Sequence, residues 1–508
     1  MMKLVNKLFG GKVDETTDKT ALAPLPLFYT NTLTGKKENF IPLKPGFVKM
    51  YSCGPTVYSR AHIGNMRAYV FSDLIARSLL ANGYHVRRVI NITDVGHLVG
   101  DGDEGEDKME MSAKAEGLRA EEITARYSKL FTQDLEQLGI DTTNILFPHA
   151  TEYIQEQIKM IQELEKKSYT YRTNDGIYFD TSKSLDYGAL GGISEAELKS
   201  GDKTTLEDRI TIAAGRRISE NKDKRHPADF ALWKFSPTTG RRQQEWRSPW
   251  GIGFPGWHIE CSAMIRALLG DEIDIHTGGI DHIPIHHNNE IAQSEGVFGK
   301  PFVRYWIHGA FLNIEGEKIS KSLHNDSYVP ELPEKGIHPL ALRYFFLQAH
   351  YRSPISFSWD ALTASNEGLN RLWRLCATIA QEAKGISSPS KEQKQIRTFL
   401  NDDLGTPQAL AYLWEILRDE DMSPKQKLGI IEAAEPVLGL SLLNPPESAR
   451  QRTPAELPDD IQKIVQEREK ARLSRDFEKA DLLRAKLANR GYRVDDAPSG
   501  PLLTLTLK

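Results

Sequence analysis

Tyr51-Ser52-Cys53-Gly54-Pro55-Thr56-Val57-Tyr58-Ser59-Arg60-Ala61-His62-Ile63-Gly64-Asn65-Met66-Arg67 joins a short β-favouring run, Phe47 to Ser52, to a stretch with apolar residues at helical spacing. Gly54-Pro55 breaks the run, and from Met66 the residues Ala68, Phe71, Ile75 and Leu79 recur with helical period until Gly83. Val86 to Thr93 reads as a second buried strand, so residues 47 to 94 predict a βαβ unit whose loop lies at a strand's carboxyl end, where α/β sheets bind ligands. Gly64 lets backbone approach a ligand, the helix N-terminus offers N–H groups to a phosphate, and His62 adds a donor. The same loop carries Cys53, one of only three cysteines, so a nucleotide site and a thiol are expected together.

Outward from this unit, Phe302 to Ile307 predicts another strand, followed by Phe311-Leu312-Asn313-Ile314, a Glu315-Gly316 turn, and Lys318-Ile319-Ser320-Lys321-Ser322. Paired ammonium groups on such a loop suit a leaving pyrophosphate. Each element alone has a bland reading, packing for His62-Ile63-Gly64 and solvated surface for the lysines. In this order they resemble the two signature motifs of class I aminoacyl-tRNA synthetases.

The remaining sulfur narrows the reading. Cys261 lies in Phe254-Pro255-Gly256-Trp257-His258-Ile259-Glu260-Cys261, and His286 and Glu290 stand four residues apart, on one face if the segment is α-helical. Two thiolates, an imidazole and a carboxylate compose a zinc set, with buried packing as the competing reading. On this spacing His287 is expected to point off the His286/Glu290 face. The words around Cys53, Cys261 and His286, with Asn91-Ile92-Thr93-Asp94, Pro148-His149-Ala150-Thr151-Glu152 and Asp223 to Lys234, closely resemble the cysteinyl-tRNA synthetase family from about residue 27 to about residue 494.

That resemblance implies one zinc ion held by Cys53, Cys261, His286 and Glu290 that binds the substrate thiolate. It implies L-cysteine, ATP with Mg2+ and the cysteine tRNA as partners, with cysteinyl-adenylate as the intermediate. By the same correspondence His62, Gly64 and Asn65 contact ATP, Gly278, Gly279 and Asp281 shape the adenosine side, Lys318 and Lys321 steady the pyrophosphate, and Thr56 and Trp257 lie beside the amino acid. His62, Asn65, Lys318 and Lys321 are the catalytic set so implied. Asn65 replaces the signature's second histidine, Ile319 replaces its methionine, and the C-terminus lacks the family's frequent terminal tryptophan.

The expected fold class is α/β. A Rossmann-like parallel-sheet catalytic domain (27–330) carries a connective insertion at about 100–253. An all-α helical domain (331–445), a proline-bearing linker (446–458) and an anticodon-binding region (459–508) follow a polar leader (1–26). Ala120 to Leu138, Glu152 to Lys167, His338 to Leu347 and Trp359 to Ala383 read as helices, and Ser182 to Arg225 as turn-rich and charged. Ile461 to Val494 carries ten basic and five acidic residues on two helices, the second capped by Asp476 and ended by Gly491. The acidic run Gly100 to Asp107 reads as a solvated turn and Cys376 as core.

A chain of 508 residues, 40% hydrophobic and 26% charged, is of ordinary globular composition and excludes a disordered class. Net charge −4 puts nucleic-acid binding on local patches. The absence of an apolar h-region or spanning stretch, together with three cysteines, leads to the expectation of a cytoplasmic enzyme with no membrane and no obligate protein partner. Three other readings use parts of this pattern: a cysteine ligase for an amino sugar, a non-catalytic tRNA-binding paralogue, and a plain nucleotidyltransferase.

Overall fold

The structure is a computed structural model, and it describes residues 25–98, 105–184, 187–191, 223–237, 242–314, 317–318, 326–383, 390–450, 452–497 and 500–505. An antiparallel hairpin of β1 (Phe28–Asn31) and β2 (Lys36–Asn39) leads into β3 (Phe47–Ser52), α1 (Ile63–Ala81) and β4 (His85–Ile90). The expected strand-loop-helix-strand order is present. The helix begins three residues before Met66 because His62 and Asn65 form a reciprocal capping box. The strand stops at Ile90 because the Asn91 side chain turns to accept from Gly54 N–H, 2.8 Å.

β3 and β4 belong to a five-stranded parallel sheet completed by β5 (Ile145–Leu146), β11 (Ile273–Gly279) and β12 (Val303–Gly309), in the order β12-β11-β3-β4-β5. Val48, Met50 and Tyr51 are buried, as a sheet covered on both faces requires. Chain direction across the sheet reverses between β3 and β11, which makes their carboxyl ends the topological switch point.

Helices α2 (Lys108–Glu116) and α3 (Ala120–Gln137) link β4 to β5, and between the two halves run α4 (Ile154–Lys166) and a second sheet. That sheet is antiparallel, β6 (Thr170–Arg172), β7 (Gly176–Phe179), β8 (Phe230–Phe235), β9 (Trp246–Ser248) and β10 (Gly251–Pro255) in the order β6-β7-β8-β10-β9. Phe254 lies in it, and the parallel sheet resumes after α5 (Ile259–Leu269). Most of Ser182 to Arg225 lies outside the described residues. So do residues 100–104 of the acidic run, but Asp107 departs from a solvated turn: it is 3% exposed, caps α2 and meets Arg242 at 2.6 Å.

Helix α6 (Asn288–Phe298) leads into β12, after which come a small sheet, β13 (Leu312–Ile314), β14 (Glu317–Lys318) and β15 (Ile355–Phe357), and the helices α7 (Pro339–Leu347), α8 (Trp359–Glu382), α9 (Lys391–Asn401), α10 (Thr406–Arg418) and α11 (Pro424–Leu438). Helices α7 to α11 share one apolar core with α1, and Cys376 is buried in it. Asp73 of α1 ties the halves together, with Arg77 at 2.6 Å, Arg88 at 3.0 Å and Arg343 of α7 at 2.8 Å.

The C-terminal unit has its own core of Leu457, Ile461, Ile464, Val465, Leu483, Leu487, Val494 and Leu503. Helices α12 (Asp459–Leu473) and α13 (Phe477–Asn489) occupy the expected places, with Asp476 capping Lys479 N–H and Gly491 at φ +83°. A hairpin, β16 (Tyr492–Ala497) with β17 (Gly500–Leu505), completes it. The proline-bearing linker is not a free tether, because Ala449 and Leu457 are buried and Arg452 exchanges two main-chain bonds with Leu503. Among the described residues no helix is long and apolar enough to cross a membrane.

Candidate metal centre and nucleotide site

Cys53 follows β3 at the switch point, where its N–H donates to Thr277 O of β11. The next residue must be glycine, because a Cβ on Gly54 would lie 1.5 Å from Asn91 O. Cys261 sits in the first turn of α5, Glu290 in the first turn of α6, and His286 in the π-helical turn Ile283–His287 that leads into α6. His286 Nε2 is 3.0 Å from Glu290 Oε1 and 3.7 Å from Cys261 Sγ, and Cys53 Sγ is 3.9 Å from Glu290 Oε1. The four donor atoms lie within 4.8 Å of one another, all buried. A tetrahedral zinc with ordinary bond lengths has ligand–ligand edges of about 3.3 to 3.8 Å, so this donor set fits such an ion.

His287 does not point away. Its Nε2 is 3.2 Å from Cys53 Sγ, because the wider π turn brings neighbouring histidines to the same pocket instead of spacing them as an α-helix would. A second donor group, Cys53, His276, His287 and Glu290, therefore overlaps the first. His276 Nε2 lies 2.9 Å from Glu290 Oε2, and His287 Nδ1 lies 2.7 Å from His308 Nε2, itself tied through Nδ1 to Thr32 Oγ1 at 2.7 Å. His258 Nδ1 faces His286 Nδ1 at 2.9 Å. None of His276, His308 or His258 was legible as a site residue.

The charges sort into unlike pairs. The Cys53 hydrogen bond and His286 hold the Cys261 thiol down to about 6, while burial and Cys261 push Cys53 well up. Against burial, Glu290 and Cys261 raise His286 to about 10; against burial, His276 and His286 lower Glu290 to about 2. Desolvation keeps His287, His258 and His308 neutral.

Trp257 stands beside this centre, 4.6 Å from the His286 ring, and stacks on His97 at 4.3 Å and 10°. Thr56 Oγ1 is 2.6 Å from His97 Nδ1. The two residues expected beside the amino acid are thus joined through His97.

At the other end of the loop, His62 caps α1: its Nδ1 accepts from Asn65 N–H at 3.2 Å, and Asn65 Oδ1 accepts from His62 N–H at 3.1 Å. An accepting Nδ1 leaves the imidazole proton on Nε2. Gly64 occupies the second helical position. Gly278 and Gly279 end β11; a Cβ on Gly278 would lie 2.7 Å from His287 Cε1, and one on Gly279 2.3 Å from Asp281 Oδ1. The backbone of Lys318 pairs with Asn313 across β13–β14, and Lys321 lies outside the described residues.

Comparison with known proteins identifies the family. Residues 39–367 match the class I (C) tRNA synthetase catalytic domain, and residues 455–500 match the cysteinyl-tRNA ligase anticodon binding domain. The chain is 42% identical to cysteine–tRNA ligase 1 of Burkholderia lata over 482 residues, 94% of this chain and 97% of that one. It is 39% identical to the cysteine–tRNA ligase of Treponema denticola, covering 92% and 97%. A solved methionyl-tRNA synthetase of Mycobacterium tuberculosis in complex with methionyl-adenylate shares the fold at TM-score 0.53 and 16% identity, over 79% of this chain and 92% of that one. A thiol-bearing centre at the switch point, a capped histidine at the helix start and an identity near 40% over most of the length converge, and the chain belongs to the cysteinyl-tRNA synthetase family of class I tRNA synthetases.

Proposed function

We propose that the chain ligates L-cysteine to the 3′ end of the cysteine tRNA at the expense of ATP. The observation that carries this reading is the convergence of Cys53, Cys261, His286 and Glu290 at the carboxyl ends of β3 and β11, on the loop that ends in the His62 cap. Those four residues would hold a zinc ion, which supplies selective affinity for a thiolate over a hydroxyl. Trp257 closes one side of the amino-acid pocket and Thr56, fixed through His97, lies near its entrance.

A carboxylate oxygen of cysteine attacks the α-phosphorus of ATP, and the bond to pyrophosphate breaks. His62 Nε2–H and the Gly64 N–H orient the phosphates, Asn65 holds His62 in place, and Lys318 and Lys321 offset charge on the departing pyrophosphate with Mg2+. Gly278, Gly279 and Asp281 shape the adenosine side of the site, and Gly64 lies beside the phosphates. A ribose hydroxyl of the terminal tRNA nucleotide then attacks the acyl carbon and AMP departs. No protein nucleophile is needed. The C-terminal unit, residues 459–508, would read the anticodon. A transfer to an amino sugar would leave that unit without a task. Cytoplasmic residence suits reduced ligand thiols.

The assay is ATP-dependent incorporation of labelled cysteine into acid-precipitable tRNA. Charging of the cysteine tRNA is expected; cysteine consumption without tRNA acylation would contradict the reading.

A further inference from the structure

Arg67 lies on the buried face of α1, five residues beyond the His62 cap, and is 5% exposed. Among the described residues its hydrogen bonds run to main-chain carbonyls alone. Nη1 donates to Ala310 O at 2.9 Å and to Phe311 O, and Nη2 donates to Ser353 O at 2.5 Å and His350 O at 3.4 Å. Burial lowers its pKa to about 10, so the group is cationic at neutral pH. Desolvating a guanidinium is costly, and a carbonyl cage compensates it only while the segments stay in place.

Those segments frame the strand that carries Lys318. Ala310-Phe311 is the turn from β12 into β13, and His350 to Ser353 precede β15, the parallel partner of β13. β14, with Lys318, hangs on the other edge of β13. The 350–353 loop is itself rigid: Tyr351 Oη donates to Asp403 at 2.5 Å, Arg352 Nη2 to the same carboxylate at 2.8 Å, and the Tyr351 ring stacks on Phe71 of α1 at 4.5 Å. Downstream, Ile63 N–H of α1 donates to Ser327 O at 2.8 Å. The chain is therefore bonded to the first two turns of α1 before β13 and again after Lys318.

We propose that Arg67 is a positioning residue of the nucleotide site: it sets where the β13–β14 pair, and with it Lys318, stands relative to His62. This rests on the ligase reading above. The thiol-binding end is built from β3, β11, α5 and α6 and does not depend on Arg67.

The test is cysteine-dependent pyrophosphate exchange by the full chain carrying Arg67→Gln, Arg67→Lys, Lys318→Ala and the paired substitutions, with zinc content and thermal unfolding measured alongside. Arg67→Gln is expected to lower kcat by about tenfold or more while cysteine KM stays within about twofold and zinc is retained. Arg67→Lys, which keeps the charge, should recover part of the loss. In the Lys318→Ala background the Arg67 substitution should cost far less than it does alone, the mark of residues acting through one another. Full additivity, or parallel losses of cysteine affinity and zinc, would overturn the proposal. Should Arg67→Gln fail to fold, the cycle runs with Arg67→Lys. A wild-type chain without exchange would contradict the ligase reading instead, and equilibrium ATP binding then tests Arg67: weaker binding by the variants supports its role, and unchanged binding overturns it.

Discussion

His276 Nε2 and Glu290 Oε2 are 2.9 Å apart, both side chains fully buried, and the other oxygen of the same carboxylate faces His286 and Cys53. His276 thus orients the carboxylate that is proposed as a zinc ligand. Outer partners of this kind matter to affinity, so His276→Asn should weaken zinc binding by about 10- to 100-fold in competition with a chromophoric chelator. Unchanged affinity would show that Glu290 is held by other contacts.

Gly54 packs its α-carbon against the Asn91 carbonyl so closely that a methyl group would fall 1.5 Å from that oxygen. Gly54→Ala must push the β3 and β4 loops apart and is expected to destabilise the fold by about 2 kcal/mol or more, read by urea unfolding. A variant as stable as wild type would mean that the Cys53 loop is adjustable.

Asp73 is surrounded by Arg343, Arg77 and Arg88, which against burial hold its carboxyl down to about 2. A depressed folded-state pKa gives stability that is present above the unfolded value near 4 and lost as pH falls toward about 2. Denaturant unfolding of wild type should therefore show a steeper loss across that window than Asp73→Asn, which is itself expected to cost about 3 to 5 kcal/mol at neutral pH by stranding buried arginines. Parallel pH curves would remove Asp73 from this role.

The C-terminal unit has a separate core and docks on α8 through Arg374–Asp495 at 3.2 Å and Arg493–Glu367 at 2.6 Å. A chain ending at Arg450 should keep pyrophosphate exchange and lose tRNA charging by orders of magnitude. Equal losses in both would tie this unit to folding of the catalytic part.

Local chemistry made much of this legible. The Phe47–Ser52 strand, the helices at Pro339–Leu347 and Trp359–Glu382, and the Asp476 cap follow from periodicity, turn residues and capping, all encoded within a few positions. The antiparallel insertion sheet was not legible, because β7 and β8 pair across some fifty residues of sequence and β8 is apolar on nearly every residue. The terminal hairpin escaped for a related reason, its strands holding Asp495, Asp496 and Pro501. His286 and Glu290 could be paired from their spacing, but the same α-helical spacing misplaced His287, since a π turn is set by packing around it. His97, His276 and His308 gain their roles only when separate elements meet at the switch point.

The central claim, that a thiol-selecting metal centre and an ATP site share one loop, is tested most directly by pyrophosphate exchange with cysteine and with serine on protein whose bound zinc has been counted. Exchange with cysteine, little with serine, and loss of exchange when zinc is stripped are the expected results. Equal rates with the two amino acids, or full activity without zinc, would contradict the account.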